Sequence, residues 1–207
     1  MQMAGLFLTF SRACWLAAAV VIPLSTVKRK PKTTVFAILV ILITLLVLPA
    51  GRERIKQSLS PTEWSSGRVE LWSVGLEYAA KSPVYGFGIG SFKSLITLDM
   101  RETFPDRGVG DWHNQYLQIF IENGIIGLLA FLWFVFEFYR GCIKILKKTE
   151  DRTALGAAAG GCAFITGFLI ISMFDTTLNS PYVNTSFWCL AGIIIGWLHY
   201  ENSMRSA

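Results

Sequence analysis

A histidine and an asparagine stand together before a long apolar run in the stretch DWHNQYLQIFIENGIIG, which covers residues 111–127. Imidazole in water titrates at about pH 6.5, which makes histidine the usual general base at neutral pH, and such catalysis typically contributes about 10²–10⁴-fold. The alternative is anchoring at a membrane interface, because Trp112 and Tyr116 flank the pair as aromatic belts do. His113 and Asn114 are therefore candidate site residues, with packing as the competing interpretation.

Two arginines, Arg12 and Arg68, are further candidate site residues because of where their charges lie. Arg12 lies inside an apolar run. A charge at the centre of a membrane helix costs about 2.5–3.5 kcal/mol, so such residues usually face a protein interior or a wet cavity. Snorkelling of Arg12 to the membrane surface is the alternative. Arg68 stands at the start of a predicted amphipathic helix and would point towards whatever gathers at that surface.

The composition places these residues in a membrane protein. Hydrophobic residues make up 53% of the 207 residues and charged residues only 16%, which is more apolar and less charged than an ordinary soluble domain. The net charge of +5 is too small and too scattered to indicate a nucleic-acid partner. The cysteines follow or lie inside apolar segments and are interpreted as buried thiols rather than as disulfides or metal ligands. They are Cys14, Cys142, Cys162 and Cys189.

Five apolar runs approach the roughly 20 residues that span a bilayer, so we predict an all-α, polytopic helical membrane protein with about five transmembrane helices. The runs cover residues 5–24, 33–50, 124–139, 155–174 and 183–199. Two loops rich in Lys and Arg, at residues 28–32 and 140–152, belong in the cytoplasm, which places the amino terminus outside. The predicted organisation is two helices in residues 1–50, a large outer loop in residues 51–114 and three helices in residues 115–207.

The outer loop contains a predicted amphipathic helix and a glycine-rich turn. In SSGRVELWSVGLEYAAKSP, four apolar residues fall on one helical face, so this helix could lie along the membrane surface. They are Val69, Trp72, Leu76 and Ala79. The following PVYGFGIGSF lacks the spacing of a dinucleotide fingerprint and the lysine of a phosphate loop. We interpret it as a flexible turn that brings the chain back to the membrane.

The helix after His113 has two alternative interpretations. On one continuous helix, four residues would share the stripe of His113, and they are Leu117, Phe120, Gly124 and Gly127. Glu122 argues against this, because a carboxylate one turn below an apolar face is awkward in lipid. It favours a surface helix over residues 113–123, with the span starting near Gly124. Asp175, at the outer end of the fourth predicted helix, needs no special role.

Three motifs resemble the carboxyl-terminal half of the O-antigen ligase and polymerase family of bacterial membrane proteins. HNQYLQIFIENGIIG follows the family's pattern of His-Asn, nine residues, Gly, two residues, Gly. SSGRVELW followed by PVYGFGIGSF is similar to the family's helix with Arg and Trp and its turn with Pro and glycines. FLTFSRACW is similar to a Ser-Arg pair in an earlier spanning helix. The resemblance covers nearly the whole chain.

The resemblance implies a metal-independent glycosyltransferase, without a cofactor, on the outer face of the bacterial inner membrane. It would take a glycan from an undecaprenyl diphosphate carrier and pass it to a lipid, glycan or protein acceptor. His113 would be the general base, and Arg68 and Arg12 would bind the diphosphate, since a planar guanidinium binds two phosphate oxygens at once. Asn114 and Trp72 would join in substrate binding.

The start of the chain carries a further expectation. Met1 precedes the first predicted helix without a charged leader, unlike a signal peptide, and members of the family have more membrane helices than five. We therefore expect this chain to be the later portion of a longer membrane protein, with a naturally short protein as the alternative.

Two other classes of protein remain open. A transporter or flippase for lipid-linked sugars would also want an intramembrane arginine and an amphipathic surface helix, but it would not need His113. An inactive truncated membrane subunit is the other alternative. Replacing His113 while following both transport and glycan transfer discriminates between the enzyme and the transporter.

Overall fold

The structure, a computed structural model, describes residues 17–18, 20–21, 68–96, 110–148 and 150–204. Over this part of the chain it contains helices and no strand, which confirms the all-α prediction there. The α-helices outside residues 17–21 are α1 (Arg68–Lys81), α2 (Phe92–Leu95), α3 (Gln115–Lys148), α4 (Arg152–Ser172) and α5 (Pro181–Met204), and a 3₁₀ helix covers Thr177–Asn179. Arg12 and the second predicted span lie outside the described residues, as does most of the first.

The described residues fall into two compact units. The first comprises residues 68–96, 110–133 and 172–180, and it contains His113, Asn114, Arg68 and Trp72. The second comprises residues 17–18, 20–21, 134–148, 150–171 and 181–204. Every described residue that the sequence singles out for the site therefore belongs to the first unit.

Two of the described helices, α3 and α4, are long and apolar enough to cross a membrane. They coincide with the predicted spans at residues 124–139 and 155–174. α5 covers the predicted fifth span, residues 183–199, as a helix, and its membrane crossing stays a prediction. The prediction of five transmembrane helices is thus supported for two of them.

α3 is broken at Gly124, whose φ of 65° and ψ of −167° are not helical. Its 34 residues would measure about 51 Å as a straight helix, well beyond a hydrocarbon layer of about 30 Å. Before the break, Gln115, Gln118 and Glu122 are buried in protein. After it come exposed apolar side chains such as Ile126. This division agrees with the interpretation in which the span starts near Gly124.

α1 packs closely against the first part of α3. Its charges suit a helix, with Glu70 in the first turn and Lys81 in the last. A Cβ atom at Gly75 would lie 2.9 Å from side-chain atoms of Leu117 and Trp112, so a glycine is what permits this approach. The buried residues of this core are Leu71, Ala79, Phe92, Ile96, Trp112, Leu117 and Ile121.

The packed face of α1 is offset from the apolar face that the sequence predicts. Its buried residues are Leu71, Gly75 and Ala79, of which Ala79 belongs to the predicted set, and Trp72 of that set is partly buried against the same core. Val69 and Leu76 are exposed. They remain available to a membrane surface, and the surface location of α1 stays a prediction.

The second unit has an aromatic core centred on Phe187 of α5. The ring of Phe187 lies 4.2 Å from that of Phe168 and 5.5 Å from that of Phe164, between ring centroids. The described cysteines carry free thiols, as predicted. Cys142 is buried, whereas Cys189 is exposed. The prediction of a buried thiol is therefore wrong for Cys189.

Candidate active site

The backbone at His113 is held in an unusual conformation. Its φ of 48° lies in the left-handed region, and His113 is the one non-glycine residue with positive φ among the described residues. Such a conformation costs on the order of 1–3 kcal/mol and persists only where the surroundings enforce it. Strain of this kind is found preferentially at functional sites.

The surroundings that enforce it lie on both sides of His113. Trp112 is fully buried, and its ring centroid lies 4.9 Å from that of Phe92. The backbone oxygen of Trp112 accepts a hydrogen bond of 2.9 Å from Nε1 of Trp72. The side chain of Asn114 caps α3, because its Oδ1 accepts hydrogen bonds from the backbone N–H groups of residues 116 and 117, at 3.0 and 3.1 Å.

Two carboxylates face the imidazole of His113. Nδ1 of His113 lies 3.3 Å from Oδ1 of Asp111 and 3.9 Å from Oδ1 of Asp175. Oδ1 of Asp111 also accepts a 2.8 Å hydrogen bond from the backbone N–H of His113. The side chains of His113 and Asp111 are 29% and 21% exposed, so the imidazole is within reach of water and of a substrate. Carboxylates at Nδ1 leave Nε2 as the nitrogen that can accept a proton.

Asp175 is held in its charged form. The imidazole of His113, whose Nδ1 lies 3.9 Å from Oδ1 of Asp175, is the largest cause that lowers the pKa of Asp175, against the opposing effect of partial burial. The backbone N–H of Thr176, which donates to Oδ1 of Asp175 at 2.9 Å, and the positive charge of Arg68 lower this pKa further. Asp175 is therefore an anion at neutral pH.

The guanidinium of Arg68 belongs to the same neighbourhood. Arg68 is the first residue of α1 and is half-buried. Because its charge contributes to the pKa of Asp175, it lies within electrostatic reach of the His113–Asp175 pair. Of the predicted site residues, Arg68 and His113 both belong to the first unit, and Arg12 lies outside the described residues.

The polar groups of Asn114 and Trp72 already have protein partners. Besides capping α3, Asn114 donates from Nδ2 to the backbone oxygen of Met173, at 3.3 Å. The indole N–H of Trp72 donates to residue 112, as described above. Both side chains therefore position the residues around His113, and their contact with substrate stays a prediction.

Asp111, His113 and Asp175 also satisfy the spacing of a cation site. Each offers one ligand atom, and these atoms lie within 4.8 Å of one another. Imidazole and carboxylates are ligands for several divalent metals. The expectation of a metal-independent reaction is therefore a matter for experiment.

The two carboxylates are the site residues that the sequence reasoning missed. Asp111 has a local signal, because an aspartate two residues before a candidate base can bind the backbone N–H of that base. Asp175 has none: it follows α4, far along the chain from His113, and only the fold brings the two together.

Comparison with known proteins adds the family context. The O-antigen ligase family profile, Wzy_C, matches residues 2–132. The chain is 22% identical over 149 residues to the exopolysaccharide production protein ExoQ of Rhizobium meliloti (strain 1021). That alignment covers 69% of this chain and 33% of ExoQ, so the chain spans about a third of the length of this curated relative. The family match includes His113, and Asp175 lies beyond it.

Proposed function

Because the chain belongs to the O-antigen ligase family of bacterial membrane proteins, we propose that it transfers a glycan from an undecaprenyl diphosphate carrier to an acceptor hydroxyl. The acceptor is a lipid, a growing glycan or a protein, and the reaction takes place on the outer face of the inner membrane. The observation that carries this proposal is the strained His113, whose Nδ1 faces the carboxylates of Asp111 and Asp175.

His113 acts as the general base in this proposal. Nε2 accepts the proton of the acceptor hydroxyl while the acceptor oxygen forms a bond to the anomeric carbon of the glycan. The bond from that carbon to the carrier diphosphate breaks, and the diphosphate leaves with the electron pair. Asp111 and Asp175 stabilise the imidazolium that forms, as an oriented carboxylate does for a catalytic histidine.

Arg68 stabilises the leaving diphosphate. Negative charge develops on the phosphate oxygens as the glycosidic bond breaks, and a fixed guanidinium there lowers the barrier. The charge of Arg68 already acts on Asp175, because it helps to lower the pKa of that carboxyl. Arg12 is proposed as the second diphosphate ligand, on the grounds of its place in an apolar run and of the family resemblance.

The base is tested with His113→Asn in the full-length protein. Asparagine tolerates the left-handed backbone of this position, so the variant removes the base and retains the local fold. We expect the rate of glycan transfer from the lipid carrier to fall by about 10²–10⁴-fold. His199→Asn is the matched control, because the other histidine is exposed on α5, and it should retain the wild-type rate.

An unchanged transfer rate for His113→Asn, in protein that inserts normally, would remove His113 from the mechanism. Translocation of the lipid-linked sugar is measured in the same vesicles. Translocation by both the wild type and His113→Asn, without glycan transfer by either, would favour the transporter alternative over the enzyme.

Chelation tests the metal-independent form of the reaction. We expect the rate to survive dialysis against EDTA, since the proposed steps use only His113, its carboxylates and the arginines. Loss of activity on chelation that added Mg²⁺ or Mn²⁺ restores would instead assign the trio of Asp111, His113 and Asp175 to a cation.

A further inference from the structure

The turn between α1 and α2, residues 82–91, is bound to the break in α3; we call it the glycine turn. A break in a helix leaves backbone groups without helical partners, and the glycine turn supplies them. Phe87 donates its N–H to the backbone oxygen of Ile121 at 2.9 Å, and Gly88 donates to that of Glu122 at 2.8 Å. In return, Ile125 donates its N–H to the backbone oxygen of residue 83 at 2.8 Å.

A buried carboxylate adds a further connection. Oε1 of Glu122 accepts a 2.7 Å hydrogen bond from the backbone N–H of Gly90 and another from Nε2 of Gln118. Glu122 is therefore buried in protein and need not enter lipid. The charge that the sequence leaves unexplained serves to hold the glycine turn.

Two glycines make the contact close enough to fix its register. A Cβ atom at Gly124 would overlap the backbone carbonyl of Val84, and one at Gly86 would overlap the backbone of Glu122. Both glycines also have positive φ, 65° and 71°, a conformation that L side chains rarely adopt. The glycine turn thus has a fixed position beside the first residue of the span.

The apolar side chains of the glycine turn are exposed, and one of them, Phe87, also contacts the ring of Tyr78 edge to face, at 6.2 Å between centroids. Ile89 is 88% exposed and Tyr85 is 79% exposed, and Val84 and Phe87 are also exposed. No charged residue occurs between Lys81 and Lys93. The first turns of the span beside it expose further apolar side chains, which are Ile125, Ile126 and Leu129. A contiguous apolar patch of this kind marks an interaction surface.

We propose that the glycine turn is an interfacial membrane anchor, whose side chains at residues 84, 85, 87 and 89 insert into the leaflet where the span of α3 begins. The bilayer is the occupant because the patch continues into a helix that crosses it, and because Ile125 is hydrogen-bonded to the turn. Aromatic residues and flanking lysines, here Tyr85, Lys81 and Lys93, are the usual residues of a membrane interface.

The anchor would fix the distance between the imidazole of His113 and the membrane surface. Residues 115–123 of α3 separate His113 from the break, and they rise about 14 Å at most. The turn, the buried Glu122 and this helical segment form one connected piece within the first unit. Insertion of the turn therefore fixes how far the imidazole stands from the membrane, independently of what reaction it catalyses.

The test places an environment-sensitive probe on the turn. Ile89→Cys is introduced into full-length protein whose four native cysteines are replaced by alanine, labelled with NBD and reconstituted into phosphatidylethanolamine–phosphatidylglycerol vesicles. We expect blue-shifted emission, quenching by lipids that carry a doxyl group high on the acyl chain, and protection from aqueous iodide. Glu77→Cys, on the exposed surface of α1, is the matched control and should be quenched by iodide.

Two results would overturn the proposal. Equal iodide quenching at residues 89 and 77 would leave the turn in water. Protection from iodide without quenching by doxyl lipid would mean that protein, such as a second copy of the chain, covers the patch. Because Ile89 is almost fully exposed, the substitution removes no packing, and a normal melting temperature of the labelled protein verifies this.

Discussion

At the scale of single residues, the candidate site consists of the imidazole of His113, the carboxylates of Asp111 and Asp175 near its Nδ1, and the charge of Arg68 within electrostatic reach of Asp175. An imidazole alone would be a weak argument, since aromatic and histidine side chains are common at membrane interfaces. The positive φ of His113 and the carboxylates at its Nδ1 change this. The carboxylates orient the imidazole, and the backbone of His113 is strained in this arrangement. Anchoring at a membrane interface requires neither feature.

The requirement for the planar guanidinium of Arg68 is tested with Arg68→Lys. Lysine retains the charge but loses the planar fork that binds two phosphate oxygens. We expect the rate of glycan transfer to fall by about 10²-fold, the usual loss when a donor to the developing charge is removed. Arg140→Lys, at a surface residue paired with Glu137, is the control and should not change the rate. A wild-type rate for Arg68→Lys would mean that any positive charge suffices.

Asp175→Asn tests the coupling of this carboxylate to His113 through stability. The nearby imidazole of His113 lowers the pKa of Asp175 below its ordinary value of 3.8. A carboxylate with a lowered pKa stabilises the fold above the unfolded-state pKa and loses that contribution as pH falls through the folded-state pKa. We therefore expect Asp175→Asn to melt at a lower temperature than the wild type at pH 7.

The pH dependence of that difference provides the check. The difference in melting temperature should persist from pH 7 to about pH 5 and should be lost as pH falls below about pH 4, where Asp175 of the unfolded chain takes up a proton before that of the folded protein does. Thermal unfolding of purified protein in detergent measures it. A difference that narrowed already between pH 7 and pH 5 would have to come from a group other than Asp175.

At the scale of elements, the break in α3 matters most. It separates a segment that carries buried polar groups from one that exposes apolar side chains, and the glycine turn binds at the break. The sequence could predict this break, because Glu122 is incompatible with lipid and Gly124 follows it. The contact between the break and the glycine turn could not be predicted, because alternating glycines indicate a turn but not the segment that the turn contacts.

Gly124→Ala tests the break. A Cβ atom there meets the carbonyl of Val84 in a left-handed backbone, so we expect a destabilisation of more than about 1–2 kcal/mol, the cost of that backbone alone for an L-residue. Gly160→Ala is the control: its Cβ meets nothing within 4 Å on α4, and alanine in a helix gains up to about 1 kcal/mol over glycine. Thermal unfolding in detergent compares the two. Equal stability of both variants would mean that residue 124 can return to a helical conformation.

Some residues of the candidate site could be predicted from their neighbours in the sequence, whereas others depend on the fold. His113 and Arg68 could be predicted because their residue types and neighbours carry a chemical signal within a few positions. The cap at Asn114 is equally local, since asparagine before a helix binds its first N–H groups, although the prediction assigned it to substrate. Asp175 depends on the path of the chain after α4, and neither periodicity nor composition specifies that path.

At the scale of the whole molecule, the proposed function requires that His113 and the basic end of α3 lie on opposite sides of the membrane. α3 ends in Lys147 and Lys148, and Arg152 begins α4. Such clusters remain in the cytoplasm. If α3 crosses the bilayer after its break, then His113 is on the outer side, where the lipid-linked glycan would meet it.

Cysteine labelling tests this orientation in right-side-out spheroplasts. In a background without native cysteines, Glu77→Cys in the first unit and Glu150→Cys between α3 and α4 are both at exposed positions. A membrane-impermeant maleimide should label residue 77 directly and residue 150 only after permeabilisation. Labelling of residue 150 alone in intact spheroplasts would put His113 in the cytoplasm. The base would then face the cytoplasmic leaflet, and the proposed transfer on the outer face would have no catalytic group on its own side.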